Sequence, residues 1–85
     1  MVFSVARIVV LTFGQWLKLA RSRAGISQRA IADALGVSVQ TVGNWEGDRT
    51  LPVLDPGKMH KFCLMLEVDL AVMARAIAGE ITVQE

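Results

Sequence analysis

The side chains best equipped for chemistry sit close together in the middle of the chain. Gln40 and Asn44 stand four residues apart, one turn of a helix, and Ser38, Val39 and Thr41 flank them. Two amides and two hydroxyls without a formal charge make a face that both donates and accepts hydrogen bonds. The major groove of duplex DNA shows each base pair as a distinct pattern of donors, acceptors and methyl groups. An amide pairs bidentately with an adenine edge there, and a hydroxyl or a small apolar side chain meets a phosphate or a thymine methyl. Gln28 and Arg29 lie at the start of a preceding short helix, where an amide and free backbone N–H groups are suited to holding a phosphate. Arg49 is the next cation after the polar face. The competing reading makes Gln40 and Asn44 ordinary solvated residues. It carries less weight because the residues around them are those of a positioned helix.

Those positioning elements fall within residues 27–46, which read as two short helices joined by a tight turn. Ser27 and Ser38 are N-cap residues, and Ala32 lets another helix come close. Gly36 stands where the first helix must stop and the backbone needs positive φ. Val39, Val42 and Trp45 recur every three residues as one apolar stripe. Gly43 is out of place inside a helix.

One device marks five helix starts. A capping residue is flanked by an apolar residue before it and another four residues on, the hydrophobic-staple arrangement. Thr12, Ser27, Ser38, Asp55 and Asp69 are the caps, with Gln15 completing a capping box and Pro56 at a first helical position. The pattern predicts helices over 13–24, 28–35, 39–46, 56–67 and 70–78, with residues 81–83 a short strand or an ordered tail. The stripe Phe13, Trp16, Leu17, Ala20 and Ala24, the run Met59, Phe62, Cys63 and Leu66, and the similar run Leu70, Met73, Ala74 and Ile77 are the remaining apolar stripes.

Gln28, Ala32, Gly36, Val42 and Trp45, with the run 44–47, resemble the helix-turn-helix signature of phage repressors, Cro proteins and XRE-type regulators; the likeness extends over about residues 13–78. It implies an all-α, compact five-helix, lambda-repressor-like DNA-binding domain that regulates transcription, with helix 39–46 in the major groove. On that likeness Ser38, Val39, Gln40 and Asn44 occupy reading positions, and Gln28 matches a phosphate-binding glutamine. Arg21 and Glu46 match positions that form an architectural ion pair. A dimer with two half-sites is implied as well. One departure stands out: the connection after the third helix, often basic in this family, continues here as Leu51, Pro52, Val53 and Leu54.

Length and composition bound the rest. Eighty-five residues allow one domain, divided as a 1–12 apolar N-terminal extension, a 13–79 DNA-binding domain and an 80–85 tail. Hydrophobic residues make up 53% of the chain. No apolar run is long enough to span a bilayer, so the surplus points to a partner surface, a homodimer first. The extension, rich in β-branched residues but poorly alternating, is a candidate dimer arm. It lacks the cleavage site of a signal peptide. Six cations against three anions give residues 1–49 a net +3, while residues 50–85 carry −2, so the basic half holds the polar face.

The single cysteine, Cys63, suits a reducing cytoplasm. His60, Cys63 and Glu67 share a helical face, but a structural zinc needs four ligands and no second cluster exists. No metal or cofactor is expected. Trp16 and Trp45 lie on apolar stripes and read as core. Without a nucleophile–base constellation, the chain is not expected to be an enzyme. Two rival functions remain: an antitoxin-like regulator that also binds a protein partner, and a protein-interaction adaptor that does not read DNA. The polar face of 39–46 argues against the adaptor.

Overall fold

The computed structural model describes the backbone of residues 8–84 and the side chains of residues 10–81. Five helices follow in order: α1 (Phe13–Ala24), α2 (Gln28–Leu35), α3 (Val39–Glu46), α4 (Pro56–Leu66) and α5 (Leu70–Ile77). A strand precedes them, β1 (Ile8–Val10), and another follows, β2 (Thr82–Gln84). The architecture is the all-α, five-helix helix-turn-helix fold, and its two described ends meet in a small antiparallel ribbon. Ile8 faces Gln84, Val9 faces Val83 and Val10 faces Thr82.

The helix starts form as their residue types dictate. The side chains of Thr12, Ser27, Ser38 and Asp55 each accept a hydrogen bond from the backbone N–H three residues on, at 3.1, 3.0, 3.0 and 2.8 Å. Gln15 returns the capping-box bond to the Thr12 N–H at 3.0 Å. Asp69 departs from the pattern: it occupies the N-cap of α5 but its carboxylate makes no capping bond, so the backbone carbonyl alone closes that first turn, from the Met73 N–H at 3.0 Å. The residues that precede the caps, Leu11, Ile26, Val37, Leu54 and Val68, all pack against the core from partly buried positions.

Two helix ends fall a residue earlier than the periodicity predicts. α4 stops at Leu66 because Glu67 turns into the left-handed region at φ 58° and serves as its C-cap. α5 stops at Ile77, with Ala78 as C-cap and Gly79 turning the chain at φ 80°. The turn between α2 and α3 is closed by Gly36 at φ 68°, a conformation that costs a β-carbon dearly.

One core holds the helices together. Phe13, Trp16, Leu17 and Ala20 of α1 meet Ile31, Ala32 and Leu35 of α2, Val42 and Trp45 of α3, Phe62, Cys63 and Leu66 of α4, and Met73 and Ala76 of α5. The Trp45 and Phe62 rings lie 5.6 Å apart at 37°, and Phe13 and Trp16 lie 5.7 Å apart at 40°. Both tryptophans are therefore packing residues, as their apolar stripes predict. Ile81 joins this core, and the Leu11 N–H donates to its carbonyl at 3.3 Å, extending the ribbon inward. The arm expected over 1–12 lies outside the described residues as far as residue 7. Beyond it, Ile8–Val10 form a strand despite weak alternation, because β2 supplies a hydrogen-bonding partner that periodicity cannot reveal. Among the described residues no helix is long and apolar enough to cross a membrane.

Candidate nucleic-acid interface

α3 is held from three sides before it presents anything outward. Its inner face buries Val42, Trp45 and Glu46. Glu46 is the informative one, a carboxylate only 6% exposed. Arg21 of α1 reaches it with two bonds, Nε to Oε2 at 2.6 Å and Nη2 to Oε1 at 3.2 Å. Gln28, the first residue of α2, donates its Nε2 to Glu46 Oε1 at 3.0 Å. Arg21 Nη1 also donates to the Ile26 carbonyl at 3.2 Å, in the connection between α1 and α2. One carboxylate thus joins three helices. Forked guanidinium geometry favours such a site. Satisfying both oxygens offsets the desolvation of burying them, so the net stabilisation is small while the cost of removing one partner is large.

A second clamp fixes the end of α3. Asp48 sits at φ 60°, a conformation aspartate tolerates better than most residues. Its Oδ1 accepts the Gly14 N–H at 2.8 Å and its Oδ2 accepts the Thr12 hydroxyl at 2.6 Å. The start of α1 therefore rests on the end of α3, and closely: a β-carbon on Gly14 would lie 2.3 Å from the Glu46 carbonyl oxygen. The Asn44 carbonyl accepts the Arg49 N–H at 2.9 Å and the Thr50 N–H at 3.4 Å, folding the loop back over the helix end. These contacts set where Arg49, exposed on that loop, leaves the fold. The role of Gly14 and Asp48 escapes a sequence reading based on stripes and caps. A glycine in the first turn of a helix was the available signal, since it marks a close backbone approach.

The outer face of α3 differs in kind. Gln40 is exposed and Asn44 half-buried, and among the described residues neither amide has a hydrogen-bond partner. Gly43 lies between them on the same face, and a β-carbon there would meet nothing within 4 Å. No packing demand explains this glycine. Ser38 and Thr41 are more committed: the Ser38 hydroxyl caps the helix and pairs with the Thr41 hydroxyl at 2.9 Å. Val39 leans on the core edge while remaining partly exposed. Arg29, the second residue of α2, is exposed. Gln28 is half-buried and spends one amide N–H on Glu46, which leaves the other N–H for a further acceptor.

Elsewhere, the residues weighed for metal diverge. Cys63 is buried in the core and His60 and Glu67 are exposed. Burial, with the nearby Asp69 carboxylate, pushes the Cys63 thiol above its ordinary value and keeps it protonated. Among the described residues no three His, Cys, Asp or Glu side chains gather as a metal site.

An eight-residue helix presented outward by a second helix, a glycine turn and a buried ion pair defines a helix-turn-helix DNA-binding domain. A model of the helix-turn-helix domain family matches residues 12–76, from the cap of α1 into α5, and the chain belongs to that family. No curated protein matches it.

Proposed function

We propose that this protein is a sequence-specific regulator of transcription, similar to the Cro and XRE-type repressors, that reads double-stranded DNA by laying α3 in the major groove. The observation that carries the reading is the contrast between Glu46, whose two oxygens are fully partnered, and the Gln40 and Asn44 amides, which face outward with no partner among the described residues. Unpaired amides one helical turn apart on the outer side of a helix are suited to meeting separate base edges in the groove. Ser38, Val39 and Thr41 border the same contact. Gln28, Arg29 and Arg49 hold the phosphates on either side.

One such head covers few base pairs, so the protein acts as a homodimer on two half-sites about 34 Å apart. The apolar loop after α3 supports that arrangement. Val53 is 94% exposed and Leu51 49%, so beyond Arg49 the loop adds no cation and leaves the affinity of a single head low.

Selection of bound duplexes from a random DNA pool with the full-length protein tests the reading. Enrichment of a palindrome is the expected result, and no enrichment by folded protein rejects it. Gln40→Ala should then lose about 1–3 kcal/mol of discrimination at one base position, measured on the selected site and its single-base variants. Equal weakening on every variant counts against base reading.

A further inference from the structure

Glu46 does more than close an ion pair, and its second task is visible in the bond to Gln28. We infer that Glu46 is a positioning residue for DNA: its carboxylate fixes the orientation of the Gln28 amide so that the remaining N–H of that amide is presented to a phosphate. The inference rests on the DNA-binding reading above and deepens it.

The argument starts from donor and acceptor chemistry. An amide side chain can turn over, exchanging its carbonyl oxygen for its NH2 group at little cost in shape. A phosphate accepts hydrogen bonds only, so half of the orientations of an unrestrained glutamine are unproductive. Glu46 Oε1 is also an acceptor only. Lying 3.0 Å from Gln28 Nε2, it demands the NH2 end and rejects the carbonyl end. The carboxylate is in turn unable to swing away, because Arg21 grips both of its oxygens at 2.6 and 3.2 Å and the residue is buried. Arg21 is itself tied to the Ile26 carbonyl. Gln28 thus sits at the end of a chain of bonds in which each member is oriented by the one before. It is also the first residue of α2, beside the free N–H groups of that helix start. Presenting the glutamine already oriented spares the entropy of ordering it on binding.

Glu46→Gln keeps the size and burial of the side chain but removes the charge and lets the position present either an oxygen or an NH2 group. Binding is measured by fluorescence anisotropy on a labelled mixed-sequence duplex of about 20 base pairs at low salt, where phosphate contacts dominate. Gln28→Ala is expected to weaken binding about five- to tenfold and Glu46→Gln, which frees the amide to turn over, about two- to threefold, with the double variant no weaker a binder than Gln28→Ala alone, because the two act through the same contact. Multiplying losses in the double variant overturn the inference, since a purely architectural Glu46 would act independently of Gln28.

A second readout uses the unaltered protein and does not depend on a variant that folds. In a nitrogen–proton NMR spectrum the two Gln28 side-chain amide protons should be distinct. On adding the duplex one should move and the other, held by Glu46, should stay. Both protons moving together, or neither, also overturns it. Failure of the unaltered protein to bind any duplex defeats the DNA reading itself and this assignment with it; binding without coupling defeats the assignment alone.

Discussion

α3 and α5 are both eight residues long, and both bury one face in the same core, yet they are built for different ends. α3 is gripped by α1 and α2, its start is closed by the Ser38 hydroxyl, and its end is tied down through Glu46 and Asp48. α5 packs on α4 and α1, lacks a side-chain cap, and buries only Met73 and Ala76. Outward, α3 shows Gln40, Gly43 and Asn44, whereas α5 shows Leu70, Ala71, Ala74 and Arg75. Amphipathicity therefore does not distinguish a reading helix from a packing helix, because both have it. The distinction lies in whether the outer face holds donors and acceptors and whether the inner face is rigid enough to aim them. α5 fails on both counts.

The largest effect should come from the packing helix. Met73 is completely buried, so Met73→Ala removes several core methylenes and leaves a cavity, at a cost of about 2–5 kcal/mol in urea unfolding. For an 85-residue domain that is a large share of total stability. Binding of the molecules that remain folded should be unaltered. A change in base preference would mean that α5 influences the aim of α3, and would erase the contrast drawn between them.

Arg21→Met ranks next and acts on the other side of the comparison. It leaves Glu46 buried with only the Gln28 amide as partner. The full cost of stranding a buried charge is about 3–5 kcal/mol, and here roughly 2–3 is expected because the Arg21 side chain is partly exposed and Gln28 remains. The loss should shrink when the carboxylate charge is removed as well, so Arg21→Met should cost less in a Glu46→Gln background than in the unaltered protein. Urea unfolding of the single and double variants checks this. An equal difference in both backgrounds would show that packing of the arginine stem, not the ion pair, is what holds the α3 end.

How far these features were legible in the sequence depends on whether the signal was local. Helix starts were, because Thr12, Ser27, Ser38 and Asp55 act on N–H groups three residues away, and Gly25 and Gly36 take the left-handed turns that stop the first two helices. The outer face of α3 was legible too, since Val42 and Trp45 fix which side is inner. What could not be read was set by distant partners. Asp48 looks like a loop residue until Thr12 and Gly14 arrive from 36 and 34 residues away. Gln28 reads as a phosphate ligand alone, and its bond to Glu46 emerges only when α2 and α3 cross. Ile8–Val10 became a strand for the same reason: β2 lies at the other end of the chain.

Gly43→Ala has the smallest expected effect on the fold and the sharpest bearing on α3. Alanine is better than glycine in a helix interior by about 1 kcal/mol. Within this chain nothing opposes that gain, because the added methyl would meet no atom within 4 Å. Thermal unfolding should therefore show a more stable protein. If the backbone of α3 comes close to the groove at this position, the same methyl stands between Gln40 and Asn44 and pushes both amides back from the bases, so affinity for the selected duplex should fall while stability rises. Opposite signs from one methyl group cannot come from damage to the fold, which would lower both. Tighter or unchanged binding by the stabilised variant would instead make the glycine a tolerated weakness, and would leave the amides alone to distinguish the outer face of α3 from that of α5.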